Sequence, residues 1–351
     1  MFKRALVIGK FLPPHKGHHY LISTAQSRAH HVVVLVCDFP GQPIAAVLRA
    51  SWIQEVHPNV EVRVIPDIGD DDNSQRWATY TKDALGYTPD AVFTSEDYGD
   101  AYAAYLGCVH IKLDKDRKTF PVSGTAVRRD PYANWNFLMA PVKPHFVKRV
   151  ALVGAESTGK TTLARDLATS LNTTWVPEYG RLYAEGKQYS GDPWRTEEFV
   201  TIAREQNRVE DLLARTANQV LICDTNAFAT SVWHERYMEH RSPDVEALMQ
   251  GRAYDLVIVS GDEIPFEQDG TRDGEHIRHS MHKRFIERLT EANVPFVVVS
   301  GSREERLAKA REHIAQIPGW TSNWTAVKLH VNQITRHCEE GNPDEAIQTR
   351  A

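Results

Sequence analysis

Short apolar runs alternate, over the first 113 positions, with longer segments in which apolar residues return every three or four places. The pattern predicts strands at 4–9, 31–37, 60–65, 90–94 and 108–113 and helices at 16–28, 45–56, 76–85 and 98–106. His57-Pro58-Asn59 breaks the second helix with residues that favour turns. Strict strand–helix alternation of this kind builds a doubly wound parallel sheet. An aromatic stretch from Asp130 to Pro144, closed by two prolines, reads as a short helix, and a second series of strands follows near 148–153, 173–177, 219–223, 255–260 and 295–300. We therefore expect an α/β protein of two doubly wound parallel-sheet domains, residues 1–145 and 146–351. Neither half carries a fixed-period repeat, and the polar, aperiodic tail from His337 is expected to be peripheral.

Composition narrows the function classes. A formal charge of −5 with 16 histidines offers no broad basic face, so a nucleic-acid partner is not expected. Cys37, Cys108, Cys223 and Cys338 lie far apart without C-x-x-C spacing and read as reduced, mostly packed thiols. No apolar run reaches the roughly 18–20 residues of a membrane span. The first strand begins near residue 4 without a leader pattern, so a cytoplasmic protein without direct membrane insertion is expected, with room for a homo-oligomer.

Two phosphate signatures carry the chemistry. The first, Gly9-Lys10-Phe11-Leu12-Pro13-Pro14-His15-Lys16-Gly17-His18, joins the first strand to the first helix. A strand that turns through glycine into a helix aims backbone N–H groups and a positive helix end at an anion. His15 and His18, three residues apart, face the same anion as hydrogen-bond donors, Gly17 allows close backbone approach, and Lys10 adds positive charge.

The second signature, Gly154-Ala155-Glu156-Ser157-Thr158-Gly159-Lys160-Thr161, matches the P-loop pattern behind another apolar strand. Its backbone donors would cradle phosphate, Lys160 would reach the β- and γ-phosphates of ATP, Thr161 would hold Mg²⁺, and Thr162 continues the helix start. Asp224, at the end of strand 219–223, is a candidate for a Mg²⁺ ligand, an acceptor for a substrate hydroxyl proton, or a helix cap. Glu178, Tyr179 and Arg181 follow strand 173–177 and are candidates for holding a ribose and an aromatic base, with a surface ion pair as the alternative. Gln268 to Glu275, with Arg272 and Arg278, reads as a lid that brings arginines onto the transferred phosphoryl group, or as a solvated loop.

The first string resembles the adenylyl/cytidylyl-transferase superfamily. Its second motif is matched by Val122-Ser123-Gly124-Thr125-Ala126-Val127-Arg128, with valine in place of the usual isoleucine. The resemblance implies a Rossmann-like domain in which Ser123, Thr125 and Arg128 grip the β- and γ-phosphates. No covalent enzyme intermediate forms there: an acceptor oxygen attacks the α-phosphorus of ATP and pyrophosphate leaves.

With a P-loop kinase fused behind it, the chain resembles the NadR-type bifunctional proteins, nicotinamide-mononucleotide adenylyltransferase with ribosylnicotinamide kinase. The loop Thr94-Ser95-Glu96-Asp97-Tyr98-Gly99 and the Asn134-Trp135-x-Phe137 segment add to the likeness. It implies small-molecule partners, ATP, nicotinamide mononucleotide and ribosylnicotinamide, with Mg²⁺. It also places residues 66–77 at the nicotinamide-recognition loop, where Trp77 either stacks on the pyridinium or caps a hydrophobic helix. Some relatives begin with a DNA-binding domain; a repressor role is not expected here. The competing readings are another nucleotidyltransferase–kinase fusion, of the coenzyme A or flavin pathway, and a nucleotide-sensing regulator without turnover.

Overall fold

A computed structural model describes residues 1–189, 191–267 and 275–320. Ten strands and thirteen α-helices occur among them. The first sheet is formed by β1 (Phe2–Gly9), β2 (Ala29–Asp38), β3 (Glu61–Pro66), β4 (Ala91–Thr94) and β5 (Val109–Lys112), separated by α1 (Lys16–Arg28), α2 (Ala46–Val56), α3 (Ser74–Leu85) and α4 (Tyr98–Leu106). After α5 (Gly124–Arg129) and α6 (Lys143–Phe146) comes a second sheet of β6 (Lys148–Val153), β7 (Trp175–Val176), β8 (Val220–Asp224), β9 (Leu256–Ser260) and β10 (Phe296–Val299). Its helices are α7 (Lys160–Ser170), α8 (Tyr179–Lys187), α9 (Thr196–Ala214), α10 (Ala227–Met238), α11 (Pro243–Ala247), α12 (Glu275–Glu291) and α13 (Arg303–Ala315).

Both sheets are parallel throughout, in the orders β3-β2-β1-β4-β5 and β10-β9-β6-β8-β7. Helices cover both faces, so the central strands are buried on both sides and read as continuous apolar runs. Val32 to Val36 and Val150 to Val153 are at most 3% exposed. In the first sheet the chain builds outward from β1 through β2 to β3; in the second it goes from β6 to the edge strand β7 and returns to insert β8; each then crosses to the other side of its opening strand. A crevice therefore opens beyond the carboxyl end of each opening strand, where ligands of open α/β sheets bind. The two phosphate signatures occupy those two places.

The stretch from Asp130 to Pro144 departs from expectation. It forms a single 3₁₀ turn (Trp135–Phe137) and the brief α6, because Pro141 and Pro144 cannot continue an existing helix, and Pro144 is accommodated only in the first turn of the next. Nor is the stretch a loose linker. Tyr132, Trp135, Leu138 and Val142 pack in one apolar cluster with Val150, Leu163 and Val220 of the second sheet unit and with Ile44 and Trp52 of the first. Trp135 Nε1 donates to Ala217 O at 3.2 Å, and Arg215 pairs with Glu55 across the same boundary. The predicted strand 173–177 shrinks to Trp175–Val176 at a sheet edge, where it has a single neighbour, β8. The tail from His337 lies outside the described residues.

Candidate functional site: two nucleotide clefts

Beyond β1, a cleft of about 510 Å³ is lined by Gly9, Lys10, Phe11, His15, Gly17 and His18, by Trp77 of α3, and by Ser123, Gly124, Thr125 and Arg128 around the start of α5. Every residue proposed from the first signature and its companion motif is thus brought together. The His15 and His18 rings stack with centroids 3.7 Å apart, and both Nδ1 atoms are buried without a partner. Burial, reinforced by the Arg117 guanidinium, pushes the His15 imidazole down to about 4. His18 is held well below the ordinary histidine range, chiefly by burial and then by His15. Both rings are therefore neutral at pH 7, each with one N–H to give and one nitrogen to accept.

The flanking groups are held in place by their own bonds. A Cβ on Gly17 would sit 3.1 Å from the His15 ring, so this glycine makes room for the imidazole itself. Ser123 caps α5 by accepting from Ala126 N at 3.1 Å, which leaves the helix start facing the cleft. Arg128 donates to Leu12 O at 2.5 Å and to Thr125 Oγ1 at 3.1 Å, tying the companion motif to the first turn. A Cβ on Gly124 would come within 2.6 Å of that same Leu12 carbonyl. Lys10 Nζ lies 2.9 Å from Asp71 Oδ2, a hydrogen bond that raises the pKa of the ammonium above its usual range. Trp77 lines the cleft and also packs, partly buried, against the apolar cluster under α3.

Sequence reasoning missed two arginines here. Arg117, held in a turn by Glu96 at 3.1 Å, lines the cleft and faces the imidazoles. Arg49 is fully buried under the first turn, where it donates to the carbonyls of Lys10, Cys37 and Ile44. The only sign of it was a lone cation in the apolar first half of its helix, between Leu48 and Ala50.

Beyond β6 lies a second cleft, of about 550 Å³. Gly154 at φ +135° and Gly159 at φ +76° bend residues 154–161 into a loop that side-chain-bearing residues rarely follow. Lys160 is 9% exposed and donates to Ala155 O at 2.7 Å, coiled inside its own loop. Thr158 Oγ1 donates to the same carbonyl at 2.8 Å. Glu156, Ser157 and Thr162 line the cleft, and Ser157 Oγ accepts from Glu267 N at 2.8 Å. Thr161 Oγ1 donates to Asp224 Oδ2 at 2.5 Å, while Asp224 Oδ1 is buried without a partner. Burial first, then the neighbouring Glu178 carboxylate, raises Asp224 to about 6. A hydroxyl, an orphaned carboxylate oxygen and a second carboxylate converging in this way suit a hard divalent cation.

The remaining expectations divide. Glu178 and Arg181 line the second cleft, but Tyr179 does not; its N–H is turned to Gln206 Oε1 at 2.9 Å. The aromatic wall comes instead from Trp194, Phe199, Trp233 and Tyr237, with Trp194 centroids 5.1 Å from Phe199 and 5.4 Å from Tyr237. Each pair, 194/199 and 233/237, is close in sequence, but the two come from segments that only the fold unites. Arg278 is buried at 4% exposure, donates to Ile264 O at 2.6 Å and does not line the cleft, so it supports the loop after β9 instead of facing a phosphate. Arg272 lies outside the described residues.

A family model described as an AAA domain matches residues 149–306, the segment holding the second signature. Along nearly the whole chain, the Trifunctional NAD biosynthesis/regulator protein NadR of Escherichia coli (strain K12) is 29% identical over 343 residues, covering 90% of this chain and 83% of its own. The protein of the same name from Salmonella typhimurium gives the same figures. The chain is thus similar to NadR proteins along nearly its whole length. A solved NadR structure in complex with NAD and AMP-PNP superposes with a TM-score of 0.73 at 22% identity, covering 92% of this chain and 98% of that one. A NadR structure in complex with NR gives 0.73 at 22%, covering 91% and 97%. The NadR likeness thus spans both sheets.

Proposed function

We propose that the chain is a bifunctional enzyme of NAD salvage in the cytoplasm, with residues 1–145 transferring an adenylyl group and residues 146–351 a phosphoryl group. The observation that carries the reading is the pair of clefts: imidazoles and arginines at one switch point, a P-loop lysine with a hydroxyl–carboxylate pair at the other. In the second cleft the 5′-hydroxyl of ribosylnicotinamide attacks the γ-phosphorus of ATP, giving nicotinamide mononucleotide and ADP. In the first, a phosphate oxygen of nicotinamide mononucleotide attacks the α-phosphorus of a second ATP, giving NAD and pyrophosphate.

In the first cleft, His15 and His18 give N–H bonds to the phosphoryl oxygens as negative charge gathers there, while Lys10, Arg128 and the start of α5 hold the departing pyrophosphate. Catalysis is positioning and charge stabilisation, with no covalent link to the protein. In the second, Lys160 leaves the Ala155 carbonyl for the β- and γ-phosphates. Thr161 and Asp224 would hold Mg²⁺, which neutralises phosphate charge when bound. Glu178 and Arg181 take the ribose, and the wall of Trp194, Phe199, Trp233 and Tyr237 takes the flat cationic base, an attraction of about 0.5–2 kcal/mol per good ring contact. A net charge of −5 supports small-molecule partners over a nucleic acid.

The test is product analysis of the purified chain with Mg²⁺ and ATP. Nicotinamide mononucleotide is expected to give NAD with one pyrophosphate each, and ribosylnicotinamide to give nicotinamide mononucleotide and then NAD. Absence of NAD in the first reaction would overturn the adenylyl half, and absence of phosphorylation in the second the kinase half.

A further inference from the structure

Behind the second cleft sits a charged group that the chemistry above leaves unused. Arg306 of α13 is 4% exposed, and its guanidinium collects three main-chain carbonyls from three loops. Nη1 donates to Thr158 O at 2.7 Å, Nη2 to Gly261 O at 3.0 Å and Nε to Gly301 O at 3.0 Å. Nη2 also meets Glu263 Oε1 at 2.7 Å, and the same carboxylate oxygen accepts from Gly301 N at 2.6 Å. The three loops leave the carboxyl ends of β6, β9 and β10, adjacent strands of the second sheet. Only a rigid fork of five donors reaches so many acceptors at once; a lysine ammonium has three donors on a single point.

The Thr158 contact bears on ligand binding. Thr158 C=O and Gly159 N–H are opposite edges of one planar trans peptide, so a carbonyl pinned at the rear turns the N–H to the front. Gly159 lines the cleft at φ +76°, a conformation that glycine enters without strain and is equally free to leave, so the peptide's orientation depends on what holds the Thr158 carbonyl. We propose that Arg306 is a positioning residue for the triphosphate: from behind, it sets the Thr158–Gly159 peptide so that the cradle is formed before ATP arrives. This rests on the kinase reading of the second cleft. An Arg306 that merely anchors α13 would affect folding, or turnover with every substrate alike, without singling out ATP.

The test uses the full chain and its two activities. Wild type must first phosphorylate ribosylnicotinamide; if it does not, the functional reading falls and not this inference alone. In R306K we expect the KM for ATP in phosphorylation to rise about 10- to 100-fold, while the KM for ribosylnicotinamide and the rate of adenylyl transfer stay within about twofold of wild type and melting stays cooperative. R306M should raise the KM for ATP further; if R306M does not fold, R306K decides. An unchanged KM for ATP in R306K, a fall in kcat without change in KM, or loss of cooperative melting in R306K would each overturn the proposal.

Discussion

The first cleft is lined by two stacked neutral imidazoles and by Arg117 and Arg128, whereas the second is lined by a buried ammonium, a hydroxyl and Glu178, with the Asp224 carboxylate buried behind that hydroxyl. In the first, burial has removed charge from the groups proposed to meet the reacting phosphate, so the part proposed for them is directional hydrogen bonding, with fixed positive charge supplied from elsewhere. In the second, burial has gathered like charges, Asp224 beside Glu178, that repel until a cation joins them. The same topological position thus supports two electrostatic arrangements, neutral hydrogen-bond donors flanked by arginines in one and crowded carboxylates beside a buried ammonium in the other.

Four measurements would break or sharpen that contrast. The largest expected effects are reciprocal. His18→Ala should lower adenylyl transfer by about 10²–10³-fold and leave phosphorylation intact, and Lys160→Ala should do the reverse to a similar degree. Equal loss of both activities in either variant would show that the clefts do not act separately. Next, Trp194→Ala should raise the KM for ribosylnicotinamide roughly 5- to 10-fold with little change in the KM for ATP, the loss of about one good aromatic contact. An unchanged KM would remove the aromatic wall from the base site.

A smaller effect tests the carboxylate pair. Asp224 in the folded chain is raised to about 6 from 3.8, so between those values the folded state holds more protons than the unfolded one. Stability from this group therefore falls as pH rises through that window and is lowest above it. Without metal, Asp224→Asn should melt a few degrees above wild type at pH 7.5, and the gap should close towards pH 4. Adding Mg²⁺ should stabilise wild type more than the variant. A variant that melts below wild type at pH 7.5 would contradict the crowding of charge described for this site. The mildest prediction concerns the imidazoles. Followed by NMR in the ligand-free chain, His15 should keep its neutral signals from pH 8 down to 5 and titrate near 4; a midpoint near 6.5 would mean that the ring is solvated.

Much of both sites was legible because phosphate turns are local. Strand, glycine turn and helix are contiguous, so Gly9 to His18 and Gly154 to Thr161 announce their own geometry. The carboxyl end of β8 was likewise readable, and Asp224 lies where four apolar strand residues, Val220 to Cys223, had to deliver it. Side chains that act from a distance were harder to read. Tyr179 sits next to Glu178 and Arg181 in sequence, yet its backbone is claimed by Gln206 and it does not line the cleft. Arg278 looked like a lid cation and is instead buried against the Ile264 carbonyl. Neither fact has a signature in spacing, because both depend on which neighbour α9 or the β9 loop provides.

By itself the sequence determined the two-sheet α/β plan, the two phosphate turns and the pairing that points to successive reactions on one metabolite. These follow from periodicity and from backbone geometry, which act over a few residues. Only the tertiary structure decided that His15 and His18 are neutral, that Asp224 is crowded by Glu178, that Trp194 and Tyr237 share a wall, and that Asp130 to Val147 forms shared core instead of a linker. Desolvation, charge proximity and side-chain packing join residues far apart along the chain, and they come into being only when the core excludes water.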